Sequence, residues 1–397
     1  MTLDLAGIAR RLEAMVEEHT RQAAGDRFAT LEAAYAALRD DDLRSRLQTA
    51  KTSWLFARSD AEYRATFPSR SIAGDFAIVA SDGSFILPDR HSPLRFYLIN
   101  IGKVILRYGS EPSAELSAEP KLYFQEDELF VPNAVRQVPV DGSILGLKRA
   151  TDELRVAADQ AVRQSRACPA LALQDGTLVL WGLESQQDYV VDWVLPPFLE
   201  TMRTLRDANV PVAAFISYPG AKEFMNTLRV SVCDYPTRGR VVNCDDCRNR
   251  IASEGHTPAC DILPDVTDRF LFEKVANLQP GERTQPFAST SKILDRYGPD
   301  FHVHFFYLHT GVEIARVEVP RWVATDRELL EFTHAAIYDQ CERGGGYPPA
   351  LQEAHEVAVI RAGERRAVEI MLEESLAAHG IVQGRSAKDG SKRGRFV

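Results

Sequence analysis

Phe76-Ala-Ile-Val-Ala-Ser-Asp82-Gly-Ser84 and Leu171-Ala-Leu-Gln-Asp175-Gly-Thr177 are two apolar runs that end alike, in an aspartate, a glycine and a short hydroxyl residue. Runs of this length without helical spacing read as buried strands. A glycine able to take φ > 0 lets the chain turn away directly behind the carboxylate. Each aspartate is therefore expected at the rim of a sheet, where α/β folds open their binding crevices. Two carboxylates at one rim suit an oxygen-ligated metal and point first to metal-dependent hydrolysis of phosphate esters. A third Asp-Gly, in Val138-Pro-Val-Asp141-Gly-Ser143, serves as a control. Pro139 interrupts its run and helical spacing follows at once, so Asp141 or Ser143 reads as a helix N-cap.

Working outward, 94–101 and 103–108 read as two further strands joined at Gly102, a meander after the first acidic turn. Helical spacing from Ile144 to Gln164, with Leu145, Leu147, Leu154, Ala157, Ala158 and Ala161, leads through Pro169 into the second acidic run. That is the crossover of a mixed sheet. After Pro196-Pro197 a helix over 198–209 precedes a buried strand, 210–217. Runs 301–308 and 312–319 form a hairpin turning at Thr310-Gly311, followed by helices 326–342 and 349–378, split by Gly344-Gly-Gly-Tyr-Pro-Pro349. The class is α/β, a mixed sheet flanked by helices.

Residues 1–64 form an N-terminal helical arm, with Ile8, Leu12, Met15 and Val16 on one face and Leu31, Ala34, Tyr35 and Leu38 on another, broken at Gly25-Asp26. Its apolar faces dock a partner or pack on the chain itself. The main domain is expected over 65–380. The tail, 381–397, is expected to be disordered: its stretch from Arg385 to Arg395 is the most basic of the chain and has almost no apolar residues, and it is either solvated or touching nucleic acid.

The chain of 397 residues is 45% hydrophobic, enough for a folded core. It has no apolar stretch of about 18 residues and no basic-then-apolar leader after Met1, so the expectation is a cytoplasmic protein without a membrane partner. A formal net charge of −9 argues against coating nucleic acid by bulk electrostatics. A nuclease remains compatible, because catalytic metals neutralise a carboxylate-lined site.

Other residues bear on the chemistry. Asp175-Gly-Thr-Leu178 is similar to the first motif of haloacid dehalogenase-type phosphatases, but the position of that family's nucleophile is Leu173, which cannot attack phosphorus. His355-Glu356 is not followed by a second histidine at 359, which is Val, so a zinc-protease helix is excluded. Glu153 on the crossover helix and Glu318 in the hairpin are candidates to complete a carboxylate set. His355 is a candidate ligand or proton carrier, since imidazole titrates near neutrality.

Cys233, Cys244, Cys247 and Cys260 fall in one polar stretch, 231–265, with one close Cys-x-x-Cys pair and His256 among them. This Cys-rich insert suits a structural zinc ion, an iron–sulfur cluster or reduced thiols. Cys168 and Cys341 read as core cysteines.

With these pieces the chain resembles the NurA family of DNA-repair nucleases. The matching stretches are Val79-Ala-Ser-Asp82-Gly-Ser84, Leu173-Gln-Asp175-Gly-Thr-Leu178, the hairpin from Phe306-Tyr-Leu308 to Ala315-Arg-Val-Glu318-Val-Pro-Arg-Trp322, and Gly346-Tyr-Pro-Pro-Ala-Leu-Gln-Glu-Ala-His355-Glu. The resemblance implies an RNase H-like fold, Mn²⁺- or Mg²⁺-dependent exonuclease and single-strand endonuclease activity on DNA, and a homodimer docked on a HerA-type hexameric ATPase. It assigns Asp82 and Asp175 to the metals, Glu153 as the helix-borne acid and His355 as the C-terminal catalytic histidine. Two other readings stay open, a non-catalytic adaptor of a DNA translocase and a phosphatase of small molecules.

Overall fold

The first apolar run does not turn at its aspartate. In the computed structural model, which describes residues 4–23, 26–87, 94–132, 136–234, 241–255 and 257–381, it is one strand from Phe76 to Ile86. Gly83 has no positive φ; the glycine is needed for space, as shown below. The second run behaves as read: its strand stops at Asp175, and Gly176 takes φ 96°.

Ten strands form one sheet: β1 (Thr66–Pro68), β2 (Phe76–Ile86), β3 (Tyr97–Tyr108), β4 (Ser113–Tyr123), β5 (Ala170–Asp175), β6 (Val212–Ile216), β7 (Glu282–Thr284), β8 (Phe287–Ala288), β9 (Val303–His309) and β10 (Ile314–Pro320). Their order is β1-β7-β9-β10-β6-β5-β2-β3-β4, with β8 paired to β9. β2, β3 and β4 are antiparallel neighbours, whereas β5 lies parallel to β2 and β6 parallel to β5. β10 then runs antiparallel to β6, so the sheet is mixed.

The meander departs from its expected form. Gly102 does not break a strand; β3 passes through it, and the true third strand is β4, exposed along almost its whole length. Without an apolar face to bury, β4 gives no alternation to read.

Among the described residues the α-helices longer than four residues are α1 (Leu5–Ala23), α2 (Asp26–Ala36), α3 (Asp40–Thr49), α4 (Gly142–Gln164), α5 (Asp188–Asp207), α6 (Glu223–Ser231), α7 (Cys244–Glu254), α8 (Asp268–Lys274), α9 (Arg327–Arg343), α10 (Pro349–Ala358) and α11 (Ala362–Ala378). Strand alternation sorts them into layers. Val79, Ala172 and Ala214 face α4 and α5 through Leu145, Leu154, Ala161 and Phe198. Ile78, Leu173 and Phe215 face the opposite way, onto Ile337, Leu351 and Ala354 of α9 and α10. A further cluster packs α2, α3, α6 and α8 on Phe305 and Tyr307 of β9.

Two boundaries are corrected. α5 begins at Asp188 and carries Pro196 and Pro197 inside it, so the proline pair does not start the helix. The last helical block is two helices, α10 and α11, separated at 359–361. Asp141 does hold the N-cap position of α4, but its side chain makes no capping bond.

Leu31 and Ala34 of α2, and Leu38 in the link to α3, are buried against the chain's own body. Ile8, Leu12, Met15 and Val16 of α1 stay exposed. The basic tail from 382 onward, and His256, lie outside the described residues. Among the described residues no helix is long and apolar enough to cross a membrane.

Candidate active site

Asp82 and Asp175 stand side by side. Ser81 of β2 is in register with Gln174 of β5, and the strands are parallel, so the next residue of each projects to the α10 side at the same level. α10 lies across β2 and β3 at close range because Asp82's cross-strand partner is Gly102. A Cβ at Gly102 would stand 2.6 Å from the Ala354 carbonyl oxygen and 2.7 Å from the Ala358 nitrogen. The C-terminal end of α10 is pinned as well: Ser84 Oγ and Asn100 Nδ2 both donate to the Ala358 carbonyl, at 2.5 and 2.8 Å.

This clamp delivers His355 to Asp82, with Nδ1 2.8 Å from Oδ2. The imidazole side chain is 62% exposed while the Asp82 side chain is 19% exposed, so the pair sits at a surface opening. The carboxylate orients the ring and leaves its other nitrogen toward incoming groups.

Glu153 comes from the other face of the sheet. It projects from α4 over Gly83 and is only 4% exposed. Ser81 Oγ fixes the helix there by donating to the Glu153 carbonyl at 2.7 Å. A Cβ on Gly83 would lie 2.6 Å from Glu153 Oε1, so glycine opens a window through β2 between Glu153 and the Asp82 level. Arg149, one turn earlier on α4, donates Nη1 to the Gly83 carbonyl at 2.5 Å and lies 3.3 Å from Glu153 Oε1 and 3.8 Å from Asp82 Oδ1. Glu153 Oε1 is nonetheless buried without a hydrogen bond. Burial pushes the Glu153 carboxyl up to about 8; Arg149 opposes the shift and Asp82 adds to it.

Asp175 is open to solvent at the strand end, yet desolvation by the surrounding protein still raises its pKa. The hydroxyl of Tyr347 bonds to it and works against that rise, Asp82 works with it, and His355 against. The Tyr347 ring is set edge-on against Phe215 at 5.6 Å. The turn behind Asp175 is tied down by Glu318, which accepts from Thr177 Oγ1 at 2.7 Å and from the Leu178 amide at 2.9 Å.

Glu318 itself is 1% exposed and paired with buried Arg316, which also pairs with Glu223. Val317 and Val319 face α9 and α10, so Glu318 points away from the Asp82–Asp175 face. It braces the turn and is not part of the carboxylate set, which corrects its reading as a candidate to complete that set. Leu173 is fully buried on the α9–α10 face.

The structure thus brings Asp82, Asp175, Glu153 and His355 to one end of the sheet. Two neighbours, Arg149 and Tyr347, were not singled out from the sequence. Arg149 carried a signal, four residues before Glu153 on the same helix face. Tyr347 carried a weaker one, in the Gly-rich turn ahead of the His355 helix.

Cys233, Cys244, Cys247 and Cys260 are half-buried and unoxidised, and Cys168 is only half-buried, not a core residue as read; Cys341 is buried. Among the described residues no three or more His, Cys, Asp or Glu side chains are closed around a common ion-sized centre.

Residues 76–360 match the family model of the NurA domain. The chain belongs to the NurA family. The NurA-matched stretch opens on the first residue of β2 and contains Asp82, Glu153, Asp175, Tyr347 and His355, while α1, α2 and α3 precede it. Among solved structures, the NurA nuclease from Sulfolobus solfataricus is similar with a TM-score of 0.47 and 11% identity, covering 93% of this chain and 98% of that one. No curated protein matches the chain.

Proposed function

We propose that this NurA-family protein is a metal-dependent DNA nuclease, an exonuclease and single-strand endonuclease acting at Asp82, Glu153, Asp175 and His355. The observation that carries the reading is the Asp82–His355 pair, with Nδ1 2.8 Å from Oδ2, set beside Asp175. It joins a carboxylate to a group able to move a proton, at an opening of the sheet.

The donor chemistry of these residues suits a divalent cation, although no three of the carboxylate and imidazole groups are closed around a common centre among the described residues. Glu153 Oε1 is a buried carboxylate oxygen without a hydrogen bond, the kind of atom an oxygen-seeking ion completes. Asp82, Asp175 and Glu153 would hold Mn²⁺ or Mg²⁺, which supplies Lewis acidity toward a phosphodiester. The protein's own groups do the rest. Asp82 orients the His355 ring, His355 carries a proton to or from the reacting centre, and Tyr347 holds Asp175 in place. Arg149 sets a positive charge beside Asp82 and Glu153, where a phosphate would approach.

We read the sheet as RNase H-like, the antiparallel β2, β3 and β4 being extended on the other side by parallel β5 and β6. The exposed apolar residues of α1 support docking on a HerA-type hexameric ATPase or a homodimer contact, with 1–64 as the arm, 65–380 as the nuclease domain and 231–265 as its insert.

End-labelled DNA incubated with Mn²⁺ and the Asp82→Ala or Asp175→Ala protein tests the reading. Loss of cleavage by both is the expected result. Cleavage within a few-fold of the parent overturns it.

A further inference from the structure

We infer that Tyr218 is a positioning residue that stacks on a base of a single DNA strand at the rim shared with Asp175. The inference rests on that site taking DNA, and it adds the group that holds the strand there.

Tyr218 has a backbone that its side chain does not favour. Among the described residues three non-glycine residues take a positive φ: Asn209 at 54°, Tyr218 at 49° and Asn277 at 52°. Asparagine tolerates that region because its short side chain can bond locally, whereas a bulky ring there is an outlier. Pro219 follows, and a proline pushes the residue before it toward extended backbone, so Tyr218 departs from that preference as well. Such residues persist only where their surroundings hold them, and they gather at ligand clamps and active sites. Here the holding group is Glu313, just before β10, whose Oε1 accepts from Ser217 Oγ at 2.7 Å and from the Tyr218 amide at 3.3 Å.

The turn presents the ring to solvent. Tyr218 is 66% exposed. The Arg269 guanidinium of α8 lies 3.9 Å from the ring centroid and is itself paired with Glu273 at 3.0 Å. One face of the ring is thereby backed by a cation while most of the residue stays open. An exposed cation–π contact offsets only part of what a left-handed tyrosine costs, so that contact alone does not account for the conformation.

Contacts tie the ring to the active-site rim. Phe215 of β6 is level with Asp175 of β5, and Tyr218 follows three residues later at the same end of the sheet. Tyr347, whose hydroxyl bonds to Asp175, is set against that same Phe215. Gly346 beside it rests on the tip of the β9–β10 hairpin, where a Cβ on the glycine would stand 2.9 Å from Val312 Cβ. Glu313, next along the tip, is the residue that holds Tyr218. Asp175, Tyr347, the hairpin tip and Tyr218 follow one another around a single rim. Three residues of chain span at most about 11 Å, so a strand with a phosphate at Asp175 brings a nearby base to the ring.

A flat, open, cation-backed ring beside a phosphodiester site suits a nucleobase. Every base has a π face, so stacking grips a strand without choosing its sequence. Bases of a duplex are already stacked on one another, and the ring therefore favours a single strand.

The test is fluorescence anisotropy of a dye-labelled oligothymidylate with the full-length chain in EDTA, which withholds the metal, comparing the parent with Tyr218→Phe, Tyr218→Ala and Tyr218→Gly. Deleting the ring should weaken binding by about 5- to 100-fold, the usual range for one stacked base, whereas Tyr218→Phe should bind within about twofold of the parent. In Mn²⁺ the ring deletions should raise KM more than they lower kcat. Tyr218→Gly relieves the left-handed backbone and should melt close to the parent, which separates lost affinity from lost folding and serves if the alanine variant does not fold. An abasic strand of the same length offers phosphates without bases, and the parent and Tyr218→Gly should bind it alike. The inference is overturned if the parent does not bind the oligothymidylate, if the ring deletions bind it like the parent, if Tyr218→Phe is as weak as Tyr218→Gly, or if the abasic strand shows the same loss. A parent that binds through Tyr218 yet does not cleave DNA in Mn²⁺ would refute the nuclease reading and leave the stacking role standing.

Discussion

Glu153 Oε1 lies 2.6 Å from the point where a Cβ on Gly83 would stand, so a carboxylate from one face of the sheet reaches the level of Asp82 on the other only because β2 has no side chain there. The same Cβ would meet Arg149 Cγ and Ile101 Cδ1 at 3.0 Å. Gly83→Ala should therefore displace Glu153 and Arg149 together. We expect cleavage of DNA in Mn²⁺ to fall at least about tenfold and stability to drop by about 1–3 kcal/mol, typical of overpacking a well-filled site. Unchanged cleavage in this variant would show that Glu153 need not sit where it does.

His355→Ala and Tyr347→Phe separate two roles. Removing the imidazole should lower cleavage by about 10²-fold or more, the usual contribution of a positioned acid–base group, with little change in melting temperature because the ring is mostly exposed. Tyr347→Phe keeps the ring against Phe215 and removes only the bond to Asp175, so a milder loss is expected. Equal cleavage defects in the two proteins would argue against His355 as the proton carrier.

Arg316 is the hub of a buried charge cluster between Glu223 and Glu318, with contacts of 2.8 and 2.9 Å. Arg316→Met strands two buried carboxylates. Breaking a buried pair this way costs about 3–5 kcal/mol, so a large fall in denaturation midpoint is expected. The turn behind Asp175 depends on Glu318, and cleavage should fall further than the unfolded fraction alone explains. A midpoint within experimental error of the parent would contradict the hub assignment.

Asp268 gives a pH test. It is fully buried, accepts from Tyr307 Oη at 2.6 Å and from the Phe224 and Met225 amides at 2.9 and 2.8 Å, and burial raises its pKa to about 6 from an ordinary 3.8. A carboxyl raised on folding holds more protons folded than unfolded, so its contribution is complete below pH 3.8 and is lost as pH rises through about 6. The stability difference between the parent and Asp268→Asn should narrow over that window by on the order of 2–3 kcal/mol. Thermal melts at half-unit steps read it directly, and a difference that widens with pH would reverse the sign.

Much of this architecture was readable from residue patterns, for reasons that differ element by element. β5, α4 and β6 were legible because buried runs and a one-sided apolar helix report their own burial. β4 was not, since an edge strand with ten of its eleven residues exposed has no face to advertise. Asp82 was found for partly the wrong reason. Its Asp-Gly was read as a turn, whereas Gly83 serves clearance in a continuing strand, and local sequence cannot tell an open dihedral from an absent side chain. Glu318 was misplaced because its partner Arg316 is two residues away on the same strand face, a pairing visible only once that face is known to be buried. Tyr347 was overlooked because its link to Asp175 crosses 172 positions of sequence.

The pinned end of α10 has one more consequence. Ser84 and Asn100 hold the Ala358 carbonyl from two adjacent strands, and Gly102 lets the helix backbone rest on the sheet itself. The imbalance this prevents is rotational. A histidine on a loosely docked helix would sweep an arc and surrender that freedom each time a polymer entered the opening. Here folding has already settled where the helix presents the ring, so on the proposed nuclease reading strand entry and exit would not wait for the helix, and control would act on access to the site and not on its assembly.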